Sequence, residues 1–451
     1  MLTKNQDISL YIDGMSAQGC GIGHYEGMAV FVQNSAVGDT LLVHIIKVKK
    51  TYAIGKILQV ITPSPDRTES DCPVSARCGG CCYRHISYEA ELRIKQQRVS
   101  DAFKRIGHLD ICPYPIIGAQ NTEAYRNKAQ FPVGFDKDLQ IGFYAINSHR
   151  IIPCKECKLQ PEIFSDILGI IENWISKHNV KTYNESSGSG LLRHIYIRRG
   201  HYSGEIMVCL IINGEQIPYE EELIEELKST IPEFETFVLN INQSKTNVIM
   251  GPECKTLYGK GYITDRLLGR TFRISPLSFY QVNSAQAEVL YKTAAEFAEL
   301  TPSDVLLDLY CGTGTIGLTM ADRVSKLIGV EIIPQAVEDA KKNATENNCT
   351  NAEFFCGDAS ALSQKLQHEG ITPDVILVDP PRKGLDEKLI STISEMSPRR
   401  VVYISCDPET LARDCARFSA QGYLIRRAVP VDMFPRTSHV EAVVLLSRVG
   451  K

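Results

Sequence analysis

The chain has 451 residues, of which 43% are hydrophobic and 23% charged, and its formal net charge is −4. This is the composition of an ordinary globular protein of about two to four domains, and it excludes bulk electrostatic attraction to nucleic acid while leaving room for a local basic face. The N-terminus MLTKNQDISLYIDG lacks a signal-like apolar stretch and no apolar run reaches the roughly 18 residues of a membrane span, so a cytoplasmic protein with no membrane partner is expected.

Residues 1–61 carry short apolar alternations at Ile8–Ile12, Met28–Val32, Thr40–Val48 and Tyr52–Val60, separated by glycines and polar turns. They predict a small antiparallel β-barrel. Lys47, Lys49, Lys50 and Lys56 have no acid among them, which suits either a protected strand edge or phosphate contacts. Pro63 and Pro65 mark a linker.

Residues 66–270 mix strands and helices, predicting a central α+β domain, and open on the densest cluster among fifteen cysteines. The odd count in a reducing compartment favours metal binding or catalysis over disulfides. Cys72, Cys78 and Cys81 form C-x5-C-x2-C, Cys157 follows much later, and Cys82 and Cys154 are near neighbours. Four thiolates suit zinc or an iron–sulfur cluster, and spacing does not choose between them. A basic run, Arg84, Arg93, Lys95, Arg98, Lys104 and Arg105, is diluted by Glu89, Glu91 and Asp101. It reads partly as the polar face of a helix and partly as an RNA contact.

From 271 to 451 strands and helices alternate regularly, the pattern of an α/β, Rossmann-like, doubly wound parallel sheet. LLDLYCGTGTIGL sets Gly312, Gly314 and Gly317 between a strand and a helix, and Glu331 ends the next strand, where a carboxylate can take ribose hydroxyls. Alone, this loop suits a dinucleotide or S-adenosylmethionine (SAM). DVILVDPPRKG puts Asp379 at a strand's carboxyl end, where such sheets bind ligands. VVYISCDPETLARD puts Cys406 at the mouth of another strand, and SHVEAVVLL puts Glu441 directly before an apolar one.

SPLSFYQVN, DLYCGTGTIGL, DPPRKG, YISCDP and HVEAVVLL together resemble the SAM-dependent RNA uracil-C5 methyltransferases, over nearly all of 271–451. The first 61 residues resemble that family's OB-like RNA-binding barrel, the TRAM domain. The resemblance implies a thiolate that adds to uracil C6, so that C5 accepts a methyl group, and a base that then removes the C5 proton. Cys406 is the implied nucleophile and Glu441 the implied base, with His439 as its rival. Gln281, Tyr310, Glu331, Asp358 and Asp379 are the implied SAM-binding residues. The cysteine spacing resembles that of the ribosomal branch, implying a [4Fe-4S] cluster on Cys72, Cys78, Cys81 and Cys157 with a structural or RNA-positioning role. The expected partner is RNA, specifically 23S ribosomal RNA, with no obligate protein partner. The alternatives are a tRNA uracil-C5 methyltransferase, an NAD-dependent oxidoreductase and a non-catalytic RNA-binding protein.

Overall fold

The computed structural model describes residues 2–449, and backbone pairing groups their strands into three large sheets and one hairpin. β1 (Asp7–Tyr11), β2 (Gly14–Met15), β3 (Gly21–Tyr25), β4 (Met28–Val32), β5 (Thr40–Val48) and β6 (Tyr52–Thr62) share the first sheet, in the order β1-β5-β6-β4-β3-β2. Side chains alternate across a strand, so Ile8, Leu10, Val30, Val32, Leu41 and Val43 meet in one core. One pairing departs from the antiparallel expectation: β4 and β6 are parallel. The long β5–β6 hairpin takes one edge of β6, and residues 33–39 leave β4 on the other edge, running the same way. Lys47, Lys49, Lys50 and Lys56 are all exposed.

α1 (Tyr88–Asp101) starts at Ser87, whose side chain accepts the Ala90 N–H. The second sheet contains β7 (Lys128–Phe135), β8 (Leu139–Tyr144), β9 (Ile151–Pro153), β10 (Leu192–Arg199), β11 (Ile206–Ile212), β12 (Phe234–Ile241) and β13 (Glu253–Tyr258), in the order β13-β12-β11-β10-β7-β8-β9. α2 (Ile163–Lys177) and α3 (Glu220–Thr230) bury Trp174, Ile171, Leu223 and Leu227 against it. β11 and β12 are parallel because α3 provides the crossover between them.

The hairpin β14 (Ile263–Leu267) and β15 (Arg270–Ile274) leads through α4 (Ser284–Ala298) into the third sheet. There β16 (Val305–Leu309), α5 (Thr315–Met320), β17 (Lys326–Glu331), α6 (Pro334–Glu346), β18 (Ala352–Cys356), α7 (Ala359–His368), β19 (Val375–Val378), α8 (Glu387–Met396), β20 (Arg400–Ser405) and α9 (Pro408–Ala420) alternate as expected. β21 (Tyr423–Val431) and β22 (Glu441–Arg448) finish the chain, and the strand order is β18-β17-β16-β19-β20-β22-β21. β22 is antiparallel to both its neighbours, so the sheet is not wholly parallel. The connection 432–440 is shorter than the crossover of a dozen or so residues that a parallel pair requires.

α1 packs against this third sheet. Val99, Ala102 and Phe103 share a core with Tyr403, Leu411 and Cys415, and Ile117 bridges to Val431. The basic run on and around α1 is mostly engaged in ion pairs. Arg84 meets Asp71 and Glu123, Arg93 meets Asp66, Lys95 meets Glu91 and Asp432, Arg98 meets Glu409 and Arg105 meets Asp101. The RNA-contact half of that expectation therefore has few free cations to draw on. Among the described residues no helix is long and apolar enough to cross a membrane.

Candidate active site

The parallel strands all end on one edge of the third sheet, with Leu309 opposite Val330 and Val378 opposite Tyr403. Tyr310, Glu331, Asp379 and Cys406 lie at or just beyond those ends, where loops replace the hydrogen-bond ladder. β22 enters from the same edge because it runs the other way. Ser405 pairs with Ala442, so the next step of that register sets Cys406 beside Glu441. The nucleophile and base expected from the sequence are thus adjacent-strand neighbours. Both line a cavity of about 1540 Å³, together with Arg382, His439 and Asp379.

Local sequence explains the thiol's place at the cavity wall. Val401–Ile404 are fully buried, and Asp407 then caps α9 by accepting the Thr410 N–H, with Pro408 in the first helical turn. Cys406 is the single residue between strand and cap, and it is half-buried at the cavity wall.

Burial dominates the electrostatics. It pushes the Cys406 thiol up to about 11, with further opposition from Glu441 and Asp379 and relief from Arg382. Glu441 is only 4% exposed. Burial, reinforced by Asp379 and eased by Arg382, raises its carboxyl to about 8. Among the described residues its carboxylate makes no hydrogen bond to the protein, and neither does that of Asp379, which burial raises to about 7. Buried polar groups are usually paired, so two unpaired carboxylates facing a cavity point to a ligand. His439 behaves oppositely: burial and then Arg382 lower its ring to about 4, and the Arg382 guanidinium lies 3.3 Å from Nδ1. Glu441 is much the stronger base of the two, with a value nearer the working pH.

The five residues expected to hold the cofactor, Gln281, Tyr310, Glu331, Asp358 and Asp379, all line the same cavity. Tyr310, Gly312 and Gly314 have φ values of 67°, 56° and 79°, so the loop after β16 turns through left-handed backbone. A side chain on Gly312 would point into open space, which leaves its backbone exposed to a ligand. Glu331 accepts the N–H groups of Gly312 at 3.1 Å and Ile333 at 2.9 Å, fixing its carboxylate at the rim. Asp358 accepts the Ala361 N–H as the cap of α7. These features fit SAM: the glycine loop admits its amino-acid end, Glu331 suits a ribose diol, and the carboxylates favour a cationic sulfonium.

Sequence reasoning left several groups unassigned. Asp308 is 1% exposed, accepts the Gly317 N–H at 3.0 Å and is pushed up to about 8, chiefly by burial. A Cβ on Gly317 would lie 2.7 Å from that carboxylate, so the third glycine serves this contact. Arg382 lines the same cavity and eases the Cys406 thiol downward, and its place after Asp379-Pro380-Pro381 was the available signal. The loop leading to Glu441 is held from outside. Lys95 Nζ donates to Asp432 at 2.7 Å, to Glu91 at 2.6 Å and to the Phe434 carbonyl at 3.1 Å. Arg98 joins the Ser438 carbonyl to Glu409 on α9, tying the approaches to Glu441 and Cys406 together. No sequence signal marks a contact spanning more than 300 positions.

The cysteine expectation is met only in part. Cys72 and Cys154 pack against the small core that holds Cys78, and Cys157 lies close enough to influence both Cys78 and Cys81. Cys154 joins them by donating to Cys157, which lowers the Cys157 thiol to about 6. Among the described residues, however, no three His, Cys, Asp or Glu side chains are placed to hold a metal ion.

A family model described as tRNA (Uracil-5-)-methyltransferase matches residues 87–449, and a TRAM domain model matches residues 3–58. An uncharacterized RNA methyltransferase of Clostridium tetani is 43% identical over 99% of this chain and 97% of its own. One from Clostridium acetobutylicum is 44% identical over 99% and 98%. Among solved structures, the Pyrococcus abyssi tRNA (uracil-54, C5)-methyltransferase in complex with S-adenosyl-L-homocysteine is similar with a TM-score of 0.79 and 27% identity, covering 97% of this chain and 100% of that one.

Proposed function

Because the chain belongs to the tRNA (uracil-5-)-methyltransferase family, and so to enzymes that methylate uracil C5 in RNA with SAM, we propose that Cys406 and Glu441 are its catalytic pair and that 23S ribosomal RNA is its substrate. SAM supplies the electrophilic methyl group, and Gln281, Tyr310, Glu331, Asp358 and Asp379 would hold it. Arg382 favours the Cys406 thiolate, whose sulfur forms a bond to C6 of an unstacked uracil and drives the ring's electrons toward O4. C5 would then take the methyl group from the bound sulfonium, whose S–CH3 bond breaks to leave the neutral thioether S-adenosylhomocysteine. Glu441 removes the C5 proton, the C5–C6 double bond reforms and the C6–S bond breaks, returning the thiolate. The observation that carries this reading is the antiparallel β22, which brings a buried carboxylate with no hydrogen bond among the described residues beside the thiol at the sheet's ligand-binding edge.

The ribosomal assignment rests on the barrel occurring together with Cys72, Cys78, Cys81 and Cys157 in one chain. A second reading, a tRNA substrate, is favoured by the Pyrococcus abyssi enzyme, whose likeness extends through the barrel as well. Methyl incorporation into unmodified 23S RNA and unmodified tRNA at equal concentration separates the two. Transfer to 23S RNA is expected to be at least about tenfold faster, a difference of about 1.4 kcal/mol in transition-state stabilisation. Faster transfer to tRNA would reject the ribosomal assignment and leave the uracil chemistry standing.

We also propose a [4Fe-4S] cluster on Cys72, Cys78, Cys81 and Cys157, outside the methyl-transfer chemistry. Support comes from the gathered thiols and from Arg84 and Arg126, which would balance an anionic cluster. Anaerobically purified protein is expected to be brown and to contain iron and sulfide, and Cys78→Ser is expected to bleach it. Colourless protein containing zinc would replace this assignment.

A further inference from the structure

The cavity around Cys406 is larger than its assigned chemistry needs. At about 1540 Å³ it exceeds the roughly 300–1,000 Å³ of an ordinary small-molecule site, and it extends onto the N-terminal barrel. Ser16, Gln18, Phe31, Gln33, Asn34, Tyr52 and Ile54 form that distant wall. The exposed lysines of β5 and β6 are not part of it.

The alternation along β4 and β6 shows what this wall is. Val30, Val32, Ala53 and Gly55 are buried in the barrel core, so Phe31, Tyr52 and Ile54 point outward and are only half-buried. Strand faces turned away from a core are normally polar in antiparallel sheets. Here the outward face carries two aromatic rings, packed edge to face with centroids 5.5 Å apart. Gln18, Gln33 and Asn34 adjoin them, and among the described residues none of their side-chain amides makes a hydrogen bond. Aromatic faces beside free amide donors and acceptors are the means by which proteins stack unpaired bases and read their edges.

We propose that this face of the barrel is a second nucleobase site, which stacks an unpaired base of the RNA on Phe31 and Tyr52 while the target uracil lies at Cys406. The inference rests on the RNA reading above, since continuity with the Cys406 cavity is what identifies the occupant as RNA. The site divides the barrel's work: the aromatic–amide face reads single-stranded bases, and the lysines contribute only charge. Losing the stack therefore weakens binding without altering its dependence on salt, whereas losing a lysine reduces that dependence.

The test uses the full chain and a short fluorescein-labelled single-stranded oligouridylate, with unlabelled oligomer for the emission measurement. Phe31→Ala is expected to weaken binding about tenfold at an unchanged salt slope, and Lys49→Ala to flatten the slope. Phe31→Trp supplies a direct reporter, because the single native tryptophan, Trp174, is 2% exposed in a distant core. Saturating oligouridylate is expected to quench the new tryptophan and to leave the parent chain's emission unchanged. Unchanged emission from Phe31→Trp overturns the proposal, whatever the affinity of the alanine variant. If the parent chain still methylates RNA in that case, only the second site is lost. A parent chain that methylates neither 23S RNA nor tRNA overturns the reading beneath it.

Discussion

Cys406→Ala is expected to abolish methyl transfer, with a loss on the order of a million-fold, the scale seen when a covalent nucleophile is removed elsewhere. The physical reason is that C5 of uracil becomes nucleophilic only after C6 has gained a bond, and Cys406 is the thiol at the strand mouth beside Glu441. Cys311, which also lines the cavity, is 4% exposed and burial raises it well above the ordinary thiol range. Cys406 is half-buried at an open wall, so truncation encloses no new void and stability should change by about 1 kcal/mol or less. SAM binding, which uses other strand ends, should remain near the parent value. Equilibrium dialysis with labelled SAM beside single-turnover methylation makes the comparison, and comparable methylation by the variant would sink the covalent mechanism.

Glu441→Gln should fail at a later step. The amide can fill the same volume beside Cys406 but accepts no proton, so addition and methylation proceed while elimination stalls. Turnover is expected to fall by about 10²–10⁴, the usual contribution of a positioned base. The stalled species is RNA bonded to Cys406, visible as a slower band that survives denaturation. The same carboxylate sets a pH dependence. Its value is raised to about 8, so it is mostly protonated below that and gains the ionised form as pH rises. The thiol, pushed up to about 11, shifts toward thiolate in the same direction. The kcat/KM profile of the parent enzyme should therefore climb through about pH 8. Normal turnover by Glu441→Gln without an adduct would assign the proton to another acceptor.

Sequence alone determined the local features of this protein. Val401–Ile404 read as a buried strand because the run is continuously apolar, and Asp407-Pro408 read as a helix start because a cap and a first-turn proline are local devices. The glycine loop, Asp379 at a strand end and Cys406 at a strand mouth follow from the same short-range logic, and all of them fall on the cavity. The alternation in the first 61 residues announced a β-structure, but not the parallel β4–β6 pair, because pairing partners depend on which strand edge remains free. Tertiary structure alone decided what surrounds those features. It turned β22 antiparallel, which carried Glu441 to Cys406 from a position 35 residues later. It also spent the α1 cations on Asp66, Glu91, Asp432 and Glu409 rather than on an open face. Burial raised Asp308, Asp379 and Glu441. Periodicity and capping act over a few residues and are written in neighbouring letters, whereas desolvation, ion pairing and sheet order depend on which distant segments arrive at the same place.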